Sequence, residues 1–567
     1  MCSIIAYKGN NKASSIIVDA LRKMEYRGYD SVGIATLADN NILVKKGIGK
    51  VDEVNAKLNL ASLDGNIGIG HTRWATHGAV TDYNAHPHKA CNDIAIVHNG
   101  KIDNYQQLRE LLKDHKFNSQ TDSEVIAHLL EENLKHKALK EAVIDTCKAL
   151  KGSYAFVAMI NDKIVGARRD EPLIIGISNN EYYLSSDILA FIEYTDNAIF
   201  LDNNEIVIID DKLSIYDING NNIKKDVTQI AWEFADINKG KYAHYTLKEI
   251  HEQLDTIPRV FNYNYNLDDF INAIKDANKL TIVASGSSYN ASLLAKMLFK
   301  VNCEVIIASE CKYYKDMLDD TVLAVSQSGE TRDVLRAVNY AKENNAKILS
   351  IVNVKTSSLA RISDISLSLN CGPEIGVAAT KSFTAQLALF YRIADAINNK
   401  DYTYKITDAV KQALSIKLDD IIDDIKDKND IYLLGRSIHY PIALEGALKI
   451  KELAYIHAEG MPAGEFRHGP LALVDKNTVV IMINPSDQTF DDTYSNLKEI
   501  KAREAKIIGI SDKELDYDYS IKLPKVDDRL YPLIEVIPLQ LLAYNLALKK
   551  NYNPDYPRNL AKSVTVD

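Results

Sequence analysis

The fold is decided by a stretch that occurs twice, first as Leu280-Thr-Ile-Val-Ala-Ser-Gly-Ser-Ser-Tyr-Asn290 and again as Ile431-Tyr-Leu-Leu-Gly-Arg-Ser-Ile-His439. Each copy is an apolar run that ends in a turn containing Gly and Ser, which is typical of a buried strand leading into a helix. Two further apolar runs repeat, Thr321–Val325 as Thr478–Met482 and Ala346–Ser350 as Ala505–Gly509. Counted from the first residue of each run, the three offsets are 151, 157 and 159 residues. Three landmarks at nearly one spacing predict a duplicated domain.

Helical and strand patterns alternate from about residue 241 onwards, which implies parallel sheets with crossover helices. The earlier part of the chain is different, because short β-type runs follow one another with few helices between them. We predict helices there at Ser14–Met24, Tyr105–His115 and Ser123–His136. We predict strands at Ser3–Tyr7, Ser31–Leu37, Ile67–Gly70, Ile94–Val97, Tyr154–Ile160, Lys163–Arg168, Leu173–Ile177 and Glu205–Ile209. Clustered strands with few crossovers indicate an α+β domain of antiparallel sheets.

A chain of 567 residues is too long for a single hydrophobic core, so several domains are expected. The strand-rich part spans residues 2–225, and a linker over 226–241 carries the turn-forming Asp236-Ile-Asn-Lys-Gly240. The two copies of the α/β pattern occupy 242–405 and 406–557. A short polar tail over 558–567 is too small to fold alone.

Composition narrows the class of protein. Hydrophobic residues make up 46% and charged residues 25% of the chain, as in ordinary globular proteins. The formal net charge of −10 argues against nucleic acid or an anionic membrane as the main partner. The longest apolar candidate for a membrane span, Tyr531–Leu548, is interrupted by Glu535 and Gln540, and no cleavable apolar core stands at the N-terminus. We therefore expect neither membrane insertion nor secretion.

The cysteines are scattered and show no CxxC spacing, which predicts reduced thiols in the cytoplasm rather than a disulfide framework or a zinc site. They are Cys2, Cys91, Cys147, Cys303, Cys311 and Cys371. Cys2 differs from the others by its position. If Met1 is removed, Cys2 carries both a thiol and the free α-amine of the chain, so one residue supplies a nucleophile and its base.

Three polar segments in the first part of the chain have a similar, histidine-containing composition. They are His71-Thr-Arg-Trp-Ala-Thr-His-Gly78, Asn84-Ala-His-Pro-His88 and His98-Asn-Gly-Lys101. Loops at strand ends are where sites are usually built. Arg73 is able to hold a carboxylate with two parallel hydrogen bonds and Asp122 an ammonium, and an α-amino acid needs both. The Asn99 side chain and the Gly100 N–H offer two donors to a developing oxyanion.

Each of these features also has an ordinary interpretation. The five histidines His71, His77, His86, His88 and His98 are a possible metal cluster, although their spacing fits no common zinc pattern and no acidic ligand lies among them. Arg73 alone reads as a surface cation, and Asp122 as the N-cap of a helix that starts near Ser123.

The motifs taken together resemble the glutaminase domain of class II glutamine amidotransferases. They are Met-Cys-x-Ile, Glu25-Tyr-Arg-Gly-Tyr-Asp-Ser31, His71–Gly78, His98-Asn-Gly100 and Thr121-Asp-Ser-Glu124. The resemblance extends in order along the whole chain, to Pro557-Arg-Asn-Leu-Ala-Lys-Ser-Val-Thr-Val566, and is most specific for the glutamine–fructose-6-phosphate aminotransferase family. It implies an N-terminal nucleophile hydrolase fold followed by two sugar isomerase domains, with the tail as a catalytic segment.

The resemblance assigns roles in the first domain. Cys2 is the nucleophile, Asn99 and Gly100 form the oxyanion hole, and Trp74 resembles the residue that gates ammonia passage. The glutamine-binding set is Arg73, Trp74, Thr76, His77 and Asp122. One departure stands beside the nucleophile, because Ser3 replaces the usual Gly and brings a Cβ and a hydroxyl into the local packing.

The segment Ser326-Gln-Ser-Gly-Glu-Thr331 follows an apolar strand and precedes a helical run, an arrangement that presents backbone N–H groups to an anion. It lacks the Gly-Lys-Ser/Thr ending of a nucleotide-binding loop, which favours a sugar phosphate. Ser285-Gly-Ser-Ser288 is a second turn of the same kind, and plain connection is the alternative for both. The resemblance implies sugar-phosphate binding by Ser287, Ser326, Gln327, Ser328, Thr331, Val377 and Ala379.

Lys449 and Glu452 lie three residues apart in the predicted helix Ala443–Tyr455, hence on one face, and His468 lies in a turn-rich loop. A solvated ion pair and an ordinary loop histidine are the competing interpretations. The resemblance implies that His468 opens the sugar ring, Glu452 shuttles a proton between C1 and C2, Lys562 forms a Schiff base and Lys449 favours the enolamine charge. Ala379 stands where the family usually has Ser, so one hydroxyl contact worth about 1 kcal/mol is missing.

The resemblance implies glutamine-dependent conversion of fructose 6-phosphate to glucosamine 6-phosphate by a cytoplasmic homodimer. L-glutamine and fructose 6-phosphate are then the partners, and this chemistry requires no metal or organic cofactor. Two alternatives remain, an amidotransferase that acts on phosphoribosyl pyrophosphate and a non-catalytic sugar-phosphate sensor. The apolar run Ile206–Ile209 before Asp210-Asp211 faintly suggests the first, but Lys212-Leu-Ser-Ile follows instead of a Gly-Thr loop.

Overall fold

The computed structural model describes residues 2–75, 77–90, 93–230, 238–400 and 404–564. The chain forms two compact units that divide between Ile237 and Asn238, the second of which extends to Lys562. This boundary falls inside the predicted linker over 226–241, of which residues 231–237 lie outside the described residues.

The first unit is built on two antiparallel sheets. The eight-stranded sheet has the order β14-β11-β9-β10-β1-β4-β2-β3, and the six-stranded sheet has the order β13-β12-β8-β7-β6-β5. The strands are β1 Ser3–Lys8, β2 Ser31–Ala38, β3 Asn41–Ile48, β4 Ile67–Arg73, β5 His88–Lys89, β6 Ile94–Ile102, β7 Gly152–Ile160, β8 Lys163–Arg169, β9 Ile174–Ser178, β10 Glu181–Ser185, β11 Asn197–Phe200, β12 Glu205–Ile209, β13 Leu213–Asp217 and β14 Thr228–Gln229.

Alternation along the strands produces the layers of this unit. In β6, Ala95 and Val97 face a core shared with Ile4 and Ile69 of the other sheet, whereas Ile94 and Ile96 face the helices. Helix α4 and helix α5 cover that outer face of the six-stranded sheet, and α1 packs on β1 and β4 of the eight-stranded sheet. The helices are α1 Ala13–Lys23, α2 Val51–Leu58, α3 Tyr105–Leu111, α4 Glu124–Leu134 and α5 Leu139–Ala149.

The predicted antiparallel α+β fold is confirmed, and each of the eight predicted strands exists with ends that differ by a few residues. Strand β3 escaped prediction because its polar stretch Lys45-Lys46-Gly47 interrupts the apolar pattern. Residues Thr228–Gln229, assigned to the linker, form the edge strand β14 instead. A two-residue pairing is made by backbone groups alone and leaves no side-chain signal.

The second unit contains two five-stranded parallel sheets with one topology. Their orders are β16-β15-β17-β18-β19 and β21-β20-β22-β23-β24, so the duplication predicted from the repeated runs is confirmed. The strands of the first sheet are β15 Leu280–Ala284, β16 Cys303–Ile307, β17 Thr321–Ser326, β18 Lys347–Val352 and β19 Ile365–Ser368. Those of the second are β20 Asp430–Gly435, β21 His457–Pro462, β22 Val479–Ile483, β23 Lys506–Ser511 and β24 Tyr519–Lys522.

One apolar cluster runs through both halves of the second unit and includes Leu323 of the first sheet and Ile481 of the second. Helix α16 contributes many of its members, among them Leu533 and Leu542. The helices are α6 Tyr245–Asn262, α7 Asp268–Asp276, α8 Gly286–Phe299, α9 Arg332–Glu343, α10 Ser358–Ile362, α11 Lys381–Ile397, α12 Thr407–Ala413, α13 Asp419–Ile425, α14 Tyr440–Ala454, α15 Phe490–Lys501 and α16 Tyr531–Lys549.

Among the described residues, one helical segment, Asp528–Lys549, is long and apolar enough to cross a membrane by length and composition alone. Of its most apolar 18-residue window, 94% is buried inside the protein. Glu535 and Gln540 lie within it and are fully buried against polar partners, Glu535 beside His439 and Gln540 beside Gln253. The segment is therefore packed as the central core helix of the second unit.

Candidate active sites

The thiol of Cys2 lies immediately before the central strand β1, which pairs with β4 in the register Ser3↔Thr72. That register brings Cys2 beside the end of β4, where the Trp74 N–H donates to Sγ at 3.2 Å. The Cys2 carbonyl accepts hydrogen bonds from Nδ2 of Asn99 at 3.0 Å and Nε of Arg27 at 3.3 Å. The nucleophile predicted from the sequence is thus held by three segments, namely the end of β4, β6 and the turn at Arg27.

Burial raises the pKa of the Cys2 thiol, while the Trp74 N–H and the Arg73 cation act in the opposite direction without cancelling it. A thiol with a raised pKa is protonated at neutral pH and needs a base to become a nucleophile. A base located on the same residue, the α-amine of a processed chain, meets this need.

The predicted oxyanion donors, Asn99 and Gly100, are neighbouring residues on β6. Asn99 is 2% exposed, and Gly100 has φ +116°, a conformation that only glycine adopts without strain. A Cβ at Gly100 would stand 2.2 Å from the Ser153 carbonyl oxygen, so the β7 strand excludes any larger residue. Nδ2 of Asn99 carries two hydrogens, one of which is used on the Cys2 carbonyl.

Arg73 and Asp122 are both buried and both make backbone contacts. The Arg73 guanidinium donates to the carbonyls of His77, Gly78 and Ala79, which fixes the turn after Trp74. Oδ2 of Asp122 accepts the Ile102 N–H at 2.7 Å. The N-cap alternative for Asp122 is wrong, because α4 begins at Glu124 with Ser123 as its N-cap residue.

The remaining residues of the predicted glutamine site surround this turn. Trp74 is half-buried and packs edge-on against Tyr29 with ring centroids 5.5 Å apart. His77 is half-buried and lies edge-on to Tyr105. Thr76 lies outside the described residues.

Four of the five histidines of this region are buried together. The rings of His71 and His86 stack at 4.1 Å, and that of His88 follows at 4.3 Å from His86. Burial lowers the pKa of His71 to about 3 and that of His98 to about 4, so both are neutral at physiological pH. Nε2 of His71 bonds the His98 carbonyl, and Nδ1 of His98 bonds the Ser123 hydroxyl. These neutral rings form a buried cluster that is hydrogen-bonded to β6, the strand that carries Asn99.

Ser3, the departure from the family pattern, is fully buried and donates its hydroxyl to the Met24 carbonyl at 2.9 Å. The added polar atom therefore has a partner, and the packing beside Cys2 accommodates it.

The two predicted phosphate turns lie on neighbouring strands of the second unit. Strands β15 and β17 pair in parallel with Ala284 opposite Val325, so the turns that follow them emerge at one edge of the sheet. In the second turn, the Ser326 hydroxyl accepts the Gly329 N–H and lies 3.1 Å from the Thr331 hydroxyl, directly before α9. Gly329 has φ +68°, and a Cβ there would collide with the Ser357 hydroxyl.

Lys449 is fully buried, so the interpretation of Lys449 and Glu452 as a solvated surface pair is wrong. On α14, Nζ of Lys449 lies 2.5 Å from Oε2 of Glu452 and 3.3 Å from Oε1 of Glu445. It also donates to the Ser287 hydroxyl at 3.2 Å, which joins α14 to the first phosphate turn. Burial alone would lower the pKa of Lys449, but the carboxylates of Glu445 and Glu452 raise it, so the amine stays charged. Burial raises the pKa of Glu452 despite Lys449.

Glu445 was missed from the sequence. Its two oxygens accept hydrogen bonds from Ser287 at 2.8 Å and from Asn290 at 2.9 Å, and it is fully buried. Its position four residues before Lys449, one helical turn away, is the signal that points to it.

Lys562, in the tail, has a side chain that is 6% exposed and forms an ion pair with Glu374. Burial would raise the pKa of Glu374, but Lys562 and Ser382 lower it. Glu374 was also missed, although it opens the segment Glu374–Ser382 that contains Val377 and Ala379. Val377 is buried and Ala379 half-buried on that segment.

His468 is exposed in a short 3-10 turn region, and its backbone N–H donates to the Glu465 carbonyl. Within the described part of the chain, no side-chain hydrogen bond or ion pair joins it to Lys449, Glu452 or Lys562. The structure therefore brings Lys449, Glu452 and Ser287 together but leaves His468 apart from them.

Comparison with known proteins matches both parts of the chain. A glutamine amidotransferase domain matches residues 71–193, and a SIS domain matches residues 273–395 and again 424–550. The glutamine–fructose-6-phosphate aminotransferases (isomerizing) of Pyrococcus horikoshii and Thermococcus kodakarensis are 46% and 44% identical over the full length of both chains. The chain belongs to the glutamine–fructose-6-phosphate aminotransferase family.

A solved structure supports the architecture of the aminotransferase's second unit. The C-terminal domain of glucosamine-fructose-6-phosphate aminotransferase from Francisella tularensis is 39% identical, with a TM-score of 0.51. It covers 56% of this chain and 100% of its own. The two SIS matches correspond to the two parallel sheets, and the glutamine amidotransferase match covers β4 to β10 and α3 to α5.

Proposed function

We propose that this aminotransferase transfers the amide nitrogen of L-glutamine to fructose 6-phosphate and isomerises the product, giving glucosamine 6-phosphate and glutamate. The observation that carries the proposal is that one chain contains both a thiol held at the start of a central strand and a buried amine between two carboxylates. The first suits amide hydrolysis, and the second suits proton transfer on a sugar phosphate.

In the glutamine half, the Cys2 thiolate attacks the side-chain amide carbon of glutamine after its proton passes to the α-amine. Asn99 and Gly100 stabilise the resulting oxyanion. Collapse of the tetrahedral intermediate expels ammonia, which takes a proton from the α-ammonium, and water then hydrolyses the thioester to glutamate. Asp122 and Arg73 hold the ammonium and carboxylate of the substrate, with Trp74, Thr76 and His77 around them.

In the sugar half, Ser287 and the Ser326–Thr331 turn bind the phosphate, with Val377 and Ala379 nearby. His468 donates and accepts the protons of ring opening. The Lys562 amine condenses with the C2 ketone and releases water, and ammonia then displaces the lysine from the imine. Glu452 removes a proton from C1 and returns it to C2, and burial, which raises the pKa of Glu452, makes its carboxylate a stronger base. Lys449 stabilises negative charge on the enolamine.

Lys562 attacks as a free amine, so it must leave its ion pair with Glu374 and give its proton to solvent first. Ring opening by His468 requires a rearrangement or a neighbouring chain that brings it to the sugar.

We further propose a homodimer in the cytoplasm, with residues 2–225, 242–405, 406–557 and 558–567 as its functional segments. Light scattering after size exclusion reports the oligomeric state.

The experiment that tests this function is a product assay with glutamine and fructose 6-phosphate in two reciprocal variants. Cys2→Ala is expected to abolish glutamate release and leave fructose 6-phosphate binding intact. Lys562→Ala is expected to abolish glucosamine 6-phosphate formation and leave glutaminase chemistry in place. Cys303→Ala, which removes a buried thiol elsewhere, and Lys525→Ala, which removes an exposed amine, are the matched controls.

Two chemical measurements localise the residues. A thiol-reactive glutamine analogue should label Cys2 only, and the intact mass of active enzyme should show loss of one methionine. Borohydride with fructose 6-phosphate should trap an adduct at Lys562. Labelling at another cysteine, full activity with Met1 retained, or an adduct at Lys449 or Lys381 would contradict the assignments.

A further inference from the structure

Two histidines converge on one carboxylate on the outer side of the first unit. His128 and Glu131 stand on α4, and His115 lies in the segment between α3 and α4. Nδ1 of His115 is 3.0 Å from Oε2 of Glu131, and Nδ1 of His128 is 3.2 Å from the same oxygen. The two rings lie with centroids 5.1 Å apart. A single carboxylate oxygen thus faces two imidazole nitrogens.

The other nitrogen of each ring also faces a carboxylate. Nε2 of His115 lies 2.9 Å from Oε2 of Glu132, and Nε2 of His128 lies 3.8 Å from Oε1 of Glu124. A neutral imidazole has one N–H and is unable to donate on both sides. For His115, either the ring carries an extra proton or Nδ1 binds a cation while Nε2 donates to Glu132. Nε2 of His128, 3.8 Å from Glu124, makes no hydrogen bond with any described residue.

The second arrangement is the one found around protein-bound metals, where a ligating histidine donates its remaining N–H to a carboxylate. Glu132 lies at hydrogen-bond distance for that role beside His115, and Glu124 near His128 is held in place by the N–H groups of Asn118 and Ser119. Glu132 also pairs with the ammonium of Lys135 at 2.6 Å, so this carboxylate suits a hydrogen-bond acceptor for His115 better than a metal ligand.

Two of the three separations among the inner atoms are close to those around a tetrahedral ion. Metal–ligand bonds of about 2.0–2.1 Å in a tetrahedron separate the ligand atoms by roughly 3.3 Å. The two measured separations are 3.0 and 3.2 Å, and the ligand atoms of His115, His128 and Glu131 all lie within 4.8 Å of one another. Three carboxylates and one lysine around two neutral histidines leave a net negative charge that favours a divalent cation.

We propose that Nδ1 of His115, Nδ1 of His128 and Oε2 of Glu131 form a binding site for a divalent transition-metal ion of the Zn²⁺ type, completed by water. Two nitrogens and one oxygen form a ligand set that zinc accepts. A bound ion would link His115 to α4, and so fasten the connecting segment, residues 112–123, to that helix. The metal takes no part in the amidotransferase reaction.

The test is titration of the full-length, chelator-treated protein with Zn²⁺ against a fluorescent competitor. The background is Cys2→Ala, because a free N-terminal thiol and amine also bind zinc. One Zn²⁺ per chain is expected, with affinity reduced at least about tenfold in His115→Gln and in Glu131→Gln. His136→Gln, which removes an exposed histidine just beyond α4, should bind as the background protein does.

A Co²⁺ titration of the same background protein supplies a second readout that does not depend on the folding of any site variant. Visible absorption of four-coordinate nitrogen and oxygen ligation is expected, together with a higher melting temperature in the presence of Zn²⁺. Absence of one-to-one metal binding, or equal binding by His115→Gln and Glu131→Gln, would overturn the proposal and leave the cluster as two histidines that hydrogen-bond to Glu131.

Discussion

Buried ionisable side chains of this aminotransferase keep or lose their charge according to what surrounds them. His71 lies among other histidines and near Arg73, so burial and like charges both favour its neutral form. Lys449 is equally buried, yet Glu445 and Glu452 hold its ammonium form. The same burial therefore gives a neutral histidine on β4 and a charged lysine on α14.

Removal of Lys449 should be far more costly than removal of its neighbour Lys451 on the same helix. Lys449→Ala leaves Glu445 and Glu452 without their cation in the interior, which typically costs about 3–5 kcal/mol of unfolding free energy. Lys451 is exposed, so Lys451→Ala should stay within about 0.5 kcal/mol. Urea unfolding of both variants measures the difference. Equal midpoints would show that the carboxylates are protonated or solvated instead.

His439 gives the second unit a pH-dependent stability. His439 is fully buried between Asp487 and Glu535, and its Nε2 lies 3.0 Å from the Asp487 carboxylate. Burial alone would lower the pKa of His439, but the two carboxylates raise it to about 9. A histidine with a raised folded-state pKa stabilises fully below its unfolded pKa of about 6.5 and loses this contribution as the pH rises through about 9.

Stability of the wild-type chain should therefore fall across that pH window by an amount on the order of 3 kcal/mol, and His439→Gln should be less stable and lack this slope. His457→Gln is the control, because His457 pairs with Asp430 on the surface. Calorimetric melting at several pH values reports the effect. A slope that survives in His439→Gln would assign the titration to another group.

At the scale of elements, the C-terminal tail is held by a helix end rather than by a strand or helix of its own. No regular element is found among the described residues after Lys549. Asp555 is 1% exposed and accepts the N–H groups of Tyr245 and Thr246 and the Thr246 hydroxyl at the start of α6. A carboxylate at a helix N-terminus accepts hydrogen bonds from the unpaired N–H groups there and interacts favourably with the positive end of the helix dipole. This anchor lies seven residues before Lys562.

Asp555→Ala should release the tail and so lower glucosamine 6-phosphate formation while glutamate release from glutamine continues. The loss of the cap itself should cost about 0.5–2 kcal/mol. Asp516→Ala, which removes an aspartate paired with Lys501 on the surface of the same unit, should change neither quantity. Parallel assays of glutamate and hexosamine phosphate separate the two activities. An unchanged sugar reaction in Asp555→Ala would show that the tail is held by other contacts.

At the scale of the molecule, each unit has its own core. The cluster around Ile4, Val97 and Val157 belongs to the first unit, and the cluster around Leu323, Ile481 and Leu542 belongs to the second. Domains with separate cores are able to fold separately. The Francisella tularensis structure is of a C-terminal domain alone, which agrees with this view.

A fragment that starts at Asn238 and ends at Asp567 should therefore fold and bind fructose 6-phosphate, and it should release no glutamate from glutamine. Circular dichroism and calorimetric titration with fructose 6-phosphate measure folding and binding, with Lys449→Ala in the same fragment as a control for the sugar site. An unfolded fragment, or one that fails to bind the sugar, would contradict the independence of the second unit.

The sequence by itself determined the elements and the duplication. The strand Ile94–Val97 and the helix Ala443–Tyr455 were predicted from local periodicity and are present as Ile94–Ile102 and Tyr440–Ala454, whereas β3 and β14 were missed. The repeated runs from Leu280 and Ile431 predict two sheets of one topology. Residues close in the chain, such as Lys449 and Glu452, were placed together because a helix fixes their spacing.

Only the tertiary structure decided which distant groups meet. The contacts of Glu445 with Ser287, of Lys562 with Glu374 and of Asn99 with the Cys2 carbonyl join residues about 100 to 190 positions apart. No local pattern encodes such pairs, because they arise when separate elements pack. Burial has the same origin, so the sequence left Lys449 open as a surface cation, and packing raised the pKa values of Lys449 and Glu452.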